Sequence, residues 1–332
     1  MIDTIGIEFE SVYIPKNVYS AWTDENHHRI KKYTVSRYGF TKYLQNGSSI
    51  RYTYYPNLKY DLLKVEFSLP NLIYGNNVQQ ISNIKEAINT VNTFLPNING
   101  IPRLDLWAGI LYRLDVCYNF QVNDLVPWYI KALTSLEYPY RRTRPYTSQG
   151  VQYQNDQVVL RVYDKARERK DLEDASGALA ANGYLRIEVE LKKKYLKKLT
   201  KCSKPNLDSI SLDWACEVIE NEMKKLNLLG NSIGTFDSTL KILREKYGSW
   251  EALALVGLTH AKRQYLTTEL LAQDVGLHPN SIGRHIQKKL ADNGIPPTLT
   301  ENSEPLPPLT IDRVLANEGS GITNLGNVIV NV

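Results

Sequence analysis

The sequence predicts an α+β fold. An antiparallel sheet packed on helices fills residues 1–205, a helical region follows in 206–299, and 300–332 reads as a flexible tail. Two observations predict this. Four segments alternate apolar and polar residues with the two-residue period of a half-buried strand. After about residue 205 the alternation stops, and apolar residues recur at the spacing of amphipathic helices.

Taken in order, residues 1–10 alternate weakly and read as a strand. Residues 33–56 are rich in Tyr and Thr and contain Asn46-Gly47, a hairpin signal. In DLLKVEFSL (61–69), Leu63, Val65, Phe67 and Leu69 share one face, and Pro70 ends the strand. Residues 82–94 have helical spacing, with Ser82 placed as N-cap. In 109–120, Leu114, Val116, Tyr118 and Phe120 oppose Arg113, Asp115, Cys117 and Asn119. A short helix is expected around 126–136, then a basic loop, Arg141-Arg142-Thr143-Arg144-Pro145, and a strand near 150–154. In 157–165, Val158, Leu160 and Val162 oppose Arg161, Tyr163 and Lys165. Residues 166–179 read as helix or loop. In 184–192, Leu185, Ile187, Val189 and Leu191 oppose Arg186, Glu188, Glu190 and Lys192. Helices are expected over 208–228, 235–247 and 249–259. Residues 264–292 form a helix-turn-helix-like block. Ala272 is its small contact residue, Gly276 its turn and Ile282 its anchor, with His285 where another aliphatic is usual. An ordinary helical hairpin satisfies the same pattern.

Composition narrows the function. Forty Lys or Arg stand against 35 Asp or Glu, a net charge of +5. Residues 301–332 hold Glu301, Glu304, Asp312 and Glu318 against Arg313, net −3, which leaves +8 on the first 300. With 22 Tyr to 6 Phe, that body suits a polar surface able to stack, and nucleic acid is the partner to test first. A lysine-rich soluble face fits the same figures. Three Cys without CxxC spacing exclude a disulfide framework and a structural zinc site. No signal-like start and no apolar run of membrane length are found, so an intracellular protein is expected. P-loop and GxGxxG motifs are missing.

The polar strand faces would pool Glu66, Asp115, Tyr163, Lys165 and Glu188. This is either the solvated side of a sheet or a site. As a site it suits DNA strand transfer. A phenol is a weak nucleophile at neutral pH. A divalent cation held by Asp115 and Glu188 would polarise the phosphate. Tyr163 would then attack phosphorus and hold the bond as a phosphotyrosine ester, with Lys165 on the same face stabilising charge.

Five segments carry a resemblance: the opening MID, VEFSLPNLIYGNN (65–77), RLDVCYNF (113–120), LRVYDKARE (160–168) and LRIEVELKKKYLK (185–197). Together they resemble the phage and plasmid replication proteins of the gene II / gene X family, over roughly residues 1–200. The resemblance implies a rolling-circle Rep nuclease-like sheet domain and a metal-dependent, site-specific single-strand DNA endonuclease that also rejoins. It implies Tyr163 as nucleophile with Lys165, and Asp115 and Glu188 as ligands of Mg²⁺ or Mn²⁺, with Glu190 and Glu66 as further ligands. Related initiators carry a His–hydrophobic–His ligand triplet; this chain has none, and His27-His28 read as solvent-facing. Some relatives use a second tyrosine; Tyr146, Tyr153 and Tyr184 are near in sequence and none stands out. The implied partners are origin DNA, a host helicase and a DNA polymerase in the bacterial cytoplasm, with no membrane.

DNA contacts are expected from two basic stretches. Residues 141–170 hold eight Lys or Arg against three acids, and 184–204 hold eight against two. Arg141, Arg142, Arg144, Arg161 and Arg186 are the expected contacts there. Asn280, Ser281, Arg284 and Lys288 are expected on the second helix of the 264–292 block. A solvated lysine face remains the alternative for 192–201. The alternatives to the initiator are an origin- or operator-binding regulator that does not cut, and a conjugative relaxase.

Overall fold

The alternation along 61–69 becomes a strand because Leu63, Val65 and Phe67 are fully buried while Lys64, Glu66 and Ser68 stay partly exposed. It is one of ten strands in the computed structural model, which describes residues 1–20, 23–25, 38–43, 48–55, 59–95, 101–138, 140–147, 149–265 and 268–313. In chain order the strands are β1 (Ile2–Glu10), β2 (Thr23–Glu25), β3 (Tyr38–Tyr43), β4 (Ser49–Tyr55), β5 (Tyr60–Ser68), β6 (Ile110–Gln121), β7 (Arg142–Tyr146), β8 (Gly150–Gln154), β9 (Val158–Asp164) and β10 (Tyr184–Lys192). The fold is α+β with extensive antiparallel pairing. The chain divides into two units, 1–117 with 190–216, and 118–189 with 217–312. This differs from the boundary expected near residue 205. The change in periodicity there marks where strands stop, whereas the units are set by which segments pack together.

In the first unit the strands run β2-β3-β4-β5-β1-β6, antiparallel at each of these pairings. The expected hairpin is the β3–β4 pair, from Tyr38↔Tyr54 to Tyr43↔Ser49; Asn46 and Gly47 lie outside the described residues, as do His27 and His28. The core gathers Ile5, Ile7, Ile50, Val65, Phe67, Leu114 and Val116. Pro70 does end β5, and it also sits in the first turn of a helix, Leu69–Tyr74, where its missing N–H leaves no intrahelical bond unmade. The helix Ile84–Phe94 is capped by Asn83, not Ser82: the Asn83 side chain accepts from the Glu86 N–H.

In the second unit the order is β10-β9-β8-β7, with β8 antiparallel to both β9 and β7. The stretch expected as a basic loop is strand β7, paired from Arg142↔Gln154 to Tyr146↔Gly150. Its position at the end of this strand order tolerates Pro145, which has no N–H to donate. The helix Val126–Thr134 packs against β7, β8 and β9. Helices follow at Leu212–Lys225, Phe236–Tyr247 and Ser249–Lys262, close to the expected ranges.

The 264–292 block comprises a helix Thr268–Asp274, a turn with Gly276 in the left-handed region (φ 67°), and a second helix from Pro279 to Ala291. Ala272 and Ile282 are buried with Leu271, Ile286 and Leu290 against Leu243, Leu255 and Val256. Residues 283–288 form a π-helical turn. Ile282, Ile286 and Leu290, each four residues apart, share one buried stripe of this helix.

The stretch 300–312, expected to be flexible, is packed. Leu306 and Leu309 are buried, and their backbones bridge to Ile233 and Leu229. The Tyr129 hydroxyl donates to the Pro307 carbonyl. A Pro- and Asn-rich composition read as a tail, but two leucines three residues apart suffice to anchor it. Residues 314–332 lie outside the described residues. Among those described, no helix is long and apolar enough to cross a membrane.

Candidate functional site

β9 carries a β-branched run, VVLRVYD, that favours the extended chain. Val158, Leu160 and Val162 are buried as expected, but Tyr163 is only 2% exposed, so it does not lie on a solvated face. Its hydroxyl donates to Glu188 Oε2 at 2.9 Å, and Arg161 Nη1 donates to Glu188 Oε1 at 2.8 Å. One carboxylate thus takes a phenol on one oxygen and a guanidinium on the other. The Tyr146 ring lies 5.1 Å from that of Tyr163 and is partly exposed. Across the ladder from Tyr163 stands Gly150.

Lys165 departs from the expected alternation. β9 ends at Asp164, whose side chain caps the next helix by accepting from the Arg167 N–H, and Lys165 opens that helix, Lys165–Asp171. Its ammonium is fully buried, 5.7 Å from the Tyr163 ring centre, and donates to Glu168 Oε2 at 2.7 Å. Burial and the nearby Arg186 guanidinium push the Lys165 amine down to about 8. Burial alone would raise the Glu168 carboxyl, but bonds from Arg169 and Lys165 hold it below its ordinary value. Arg169 also reaches Asp174 at 3.5 Å. Glu168 and Arg169 escaped the sequence reading. The signal was their place in the first turns of a helix that opens at Lys165, which brings Lys165 and Glu168 together at i,i+3.

Glu66, Asp115 and Glu190 belong to the first unit, where they converge on Arg113. Arg113 grips Asp115 with a two-pronged bond, Nε–Oδ1 3.0 Å and Nη2–Oδ2 2.6 Å. It also reaches Glu66 at 2.6 Å and Glu190 at 3.5 Å. The Tyr112 hydroxyl donates to the other Glu66 oxygen at 3.0 Å. Burial and Glu66 push the Tyr112 phenol well above its usual range. Burial would lower Arg113, but its bonds to Asp115 outweigh that and hold the guanidinium firmly charged. Arg113 was missed as a site residue, although Arg113 and Asp115 are two apart on one strand and so share a face.

The expected Mg²⁺ or Mn²⁺ site does not fit these residues as arranged. The charge that the three carboxylates of the first unit surround is a guanidinium, and Glu188 is engaged by Arg161 and Tyr163. Among the described residues no three His, Cys, Asp or Glu side chains are grouped to hold a metal ion.

The expected DNA contacts divide. Arg142 and Arg144 are exposed on β7, and Asn280 and Lys288 are exposed on the second helix of the block, with Ser281 partly so. The Arg284 side chain lies outside the described residues. Three expected contacts are internal instead. Arg186 is fully buried and donates to Asn119 at 2.7 Å. Arg161 is spent on Glu188. Arg141 is held by Glu222 at 2.7 Å and lies 3.9 Å over the Tyr138 ring. Each neutralises a buried carboxylate or amide oxygen, a role a basic run does not distinguish from a surface one. Of the nearby tyrosines, Tyr146 packs its ring on that of Tyr163, and Tyr153 is buried and bonded to the Leu133 carbonyl at 2.5 Å.

No protein-family model matches this chain, and no curated protein matches it.

Proposed function

We propose that this protein is a tyrosine-dependent DNA nicking and joining enzyme that initiates rolling-circle replication, with Tyr163 as nucleophile. The observation that carries the reading is the Tyr163 hydroxyl donating to Glu188 beside the buried Lys165 amine. A phenol needs a proton acceptor and nearby positive charge to attack phosphorus near neutral pH. Glu188 takes the phenolic proton, the phenolic oxygen bonds to phosphorus, and the P–O3′ bond breaks. The 3′ oxygen leaves as a hydroxyl with the proton from Glu188, and the 5′ phosphate stays on Tyr163 as an ester. Attack by a 3′ hydroxyl on that ester reverses the steps and rejoins the strand. Lys165 offsets the charge that builds on the phosphate oxygens. The Rep nuclease-like sheet and the helix-turn-helix block belong to this proposal. In it Asn280, Ser281 and Lys288 face duplex origin DNA, Arg142 and Arg144 track the strand, and a host helicase and polymerase act in the bacterial cytoplasm.

A second reading, a DNA-binding regulator that does not cut, is favoured by the burial of Tyr163, since a phosphate cannot touch its hydroxyl until a neighbour moves. Covalent capture decides between them. The full chain is mixed with supercoiled DNA carrying its own replicon, with Mg²⁺, with Mn²⁺ and with chelator. It is then denatured and digested, and peptides are weighed for a nucleotide adduct. The enzyme gives an adduct on Tyr163 that Tyr163→Phe abolishes without loss of DNA binding. Intact supercoils under all three conditions, with DNA bound, establish the regulator. An adduct on Tyr146 keeps the reaction and moves the nucleophile.

A further inference from the structure

The helix Lys193–Thr200 directly follows β10 and buries Leu196 completely. At about 100° per residue, Lys194, Lys197 and Lys198 fall within an arc of roughly 100° opposite Leu196, and Lys201 follows as the C-cap residue. All four are exposed. Their neighbours are neutralised: Lys193 pairs with Glu8, Lys192 lies 3.9 Å from Glu190, and Lys204 lies 2.9 Å from Glu10. Among the described residues, none of the four has a carboxylate within ion-pair distance; Lys197 acts on Glu10 only at longer range, and Lys198 lies 6.0 Å from the Tyr195 ring. The acids of this surface are thus spent on flanking lysines, and a stripe of four positive charges is left facing water.

We propose that this lysine stripe is a binding surface for the phosphate backbone of a nucleic acid. From Lys194 to Lys201 the stripe rises about 10 Å, which matches about three steps of roughly 3.4 Å along the axis of a duplex and so brings three to four successive phosphates of one strand within its reach. Lysines on flexible stems suit such a row of point charges and read no bases. An anionic membrane is the weaker match: the apolar side of the helix is committed to the protein core through Leu196, leaving nothing to insert into lipid. The stripe is separate from Tyr163 and does not depend on its chemistry.

The test is a salt titration of binding by the full chain, using a labelled single-stranded oligonucleotide and a labelled duplex, with fluorescence anisotropy as readout. The variant is Lys194→Gln/Lys197→Gln/Lys198→Gln/Lys201→Gln, and the matching Lys→Arg set is the control. Loss of three phosphate contacts lowers the slope of log affinity against log salt by about 2–3, with the Lys→Arg set unchanged. At low salt, affinity for both probes falls at least tenfold. An unaltered slope in the Gln variant overturns the proposal. So does a loss of binding confined to vesicles of phosphatidylcholine and phosphatidylglycerol, which would assign the stripe to lipid. Tyr163→Phe keeps the slope, so failure of the nicking reading and failure of this one are told apart.

Discussion

At Lys165 an ammonium group sits where water does not reach, and the consequence is a pH dependence of stability. Its amine is held at about 8 in the fold, against about 10.4 in the unfolded chain. Below pH 8 both states are protonated and the native state bears the cost of the buried charge. Between about 8 and 10.4 the unfolded chain keeps a proton that the native state has released, so stability rises with pH across that window. The difference corresponds to about 3 kcal/mol. Denaturation at pH 7, 9 and 10 should show wild type gaining on Lys165→Met as pH rises; parallel curves would place the amine at its ordinary value. Tyr163→Phe, by contrast, loses one hydrogen bond to Glu188 and should cost about 1 kcal/mol at neutral pH while abolishing any covalent adduct. Single residues were the hardest scale to read. Strand period put Arg113 beside Asp115 and Tyr163 beside Arg161, but not that Arg113 would fork onto Asp115 or that Arg186 would be sealed inside. Those outcomes depend on partners from segments far apart in sequence.

Among the elements, strand alternation in 61–69, 109–120, 157–165 and 184–192 was legible because one face of each strand is a continuous apolar row. What it could not convey is burial of the opposite face, since a polar row reads the same whether water or other side chains cover it. β8 shows how closely elements meet at the site. A Cβ added to Gly150 would lie 2.2 Å from the Val162 carbonyl oxygen and 2.6 Å from the Tyr163 Cβ. Gly150→Ala should therefore push β8 off β9 and destabilise the protein by roughly 1–3 kcal/mol, seen as a lowered denaturation midpoint. Gly257→Ala, in open space inside the helix Ser249–Lys262, should by contrast raise the midpoint, by up to about 1 kcal/mol of helix propensity. The helical hairpin of 268–291 was legible from Ala272, Gly276 and Ile282. The π turn was not, because no residue type marks it.

For the whole molecule, the two units are woven from alternating stretches of chain, and composition gave no hint of it. The shift near residue 205 is real in periodicity, yet the second unit draws on 118–189 and again on 217–312. Its last contributions are Leu306 and Leu309. Leu306→Ala should cost about 2–5 kcal/mol, measured by urea unfolding, where a flexible tail would show no effect. This arrangement also governs how the protein is born. The ribosome must continue from Tyr118 to Asp312 before every segment of the second unit exists, roughly 10–40 s at about 5–20 residues per second. For most of that interval β8 and β9 are already made, while the leucines that finish their unit have yet to be translated. The nascent chain therefore spends most of that interval with its candidate nucleophile in an unfinished unit, and the unit can close only once Asp312 has been added.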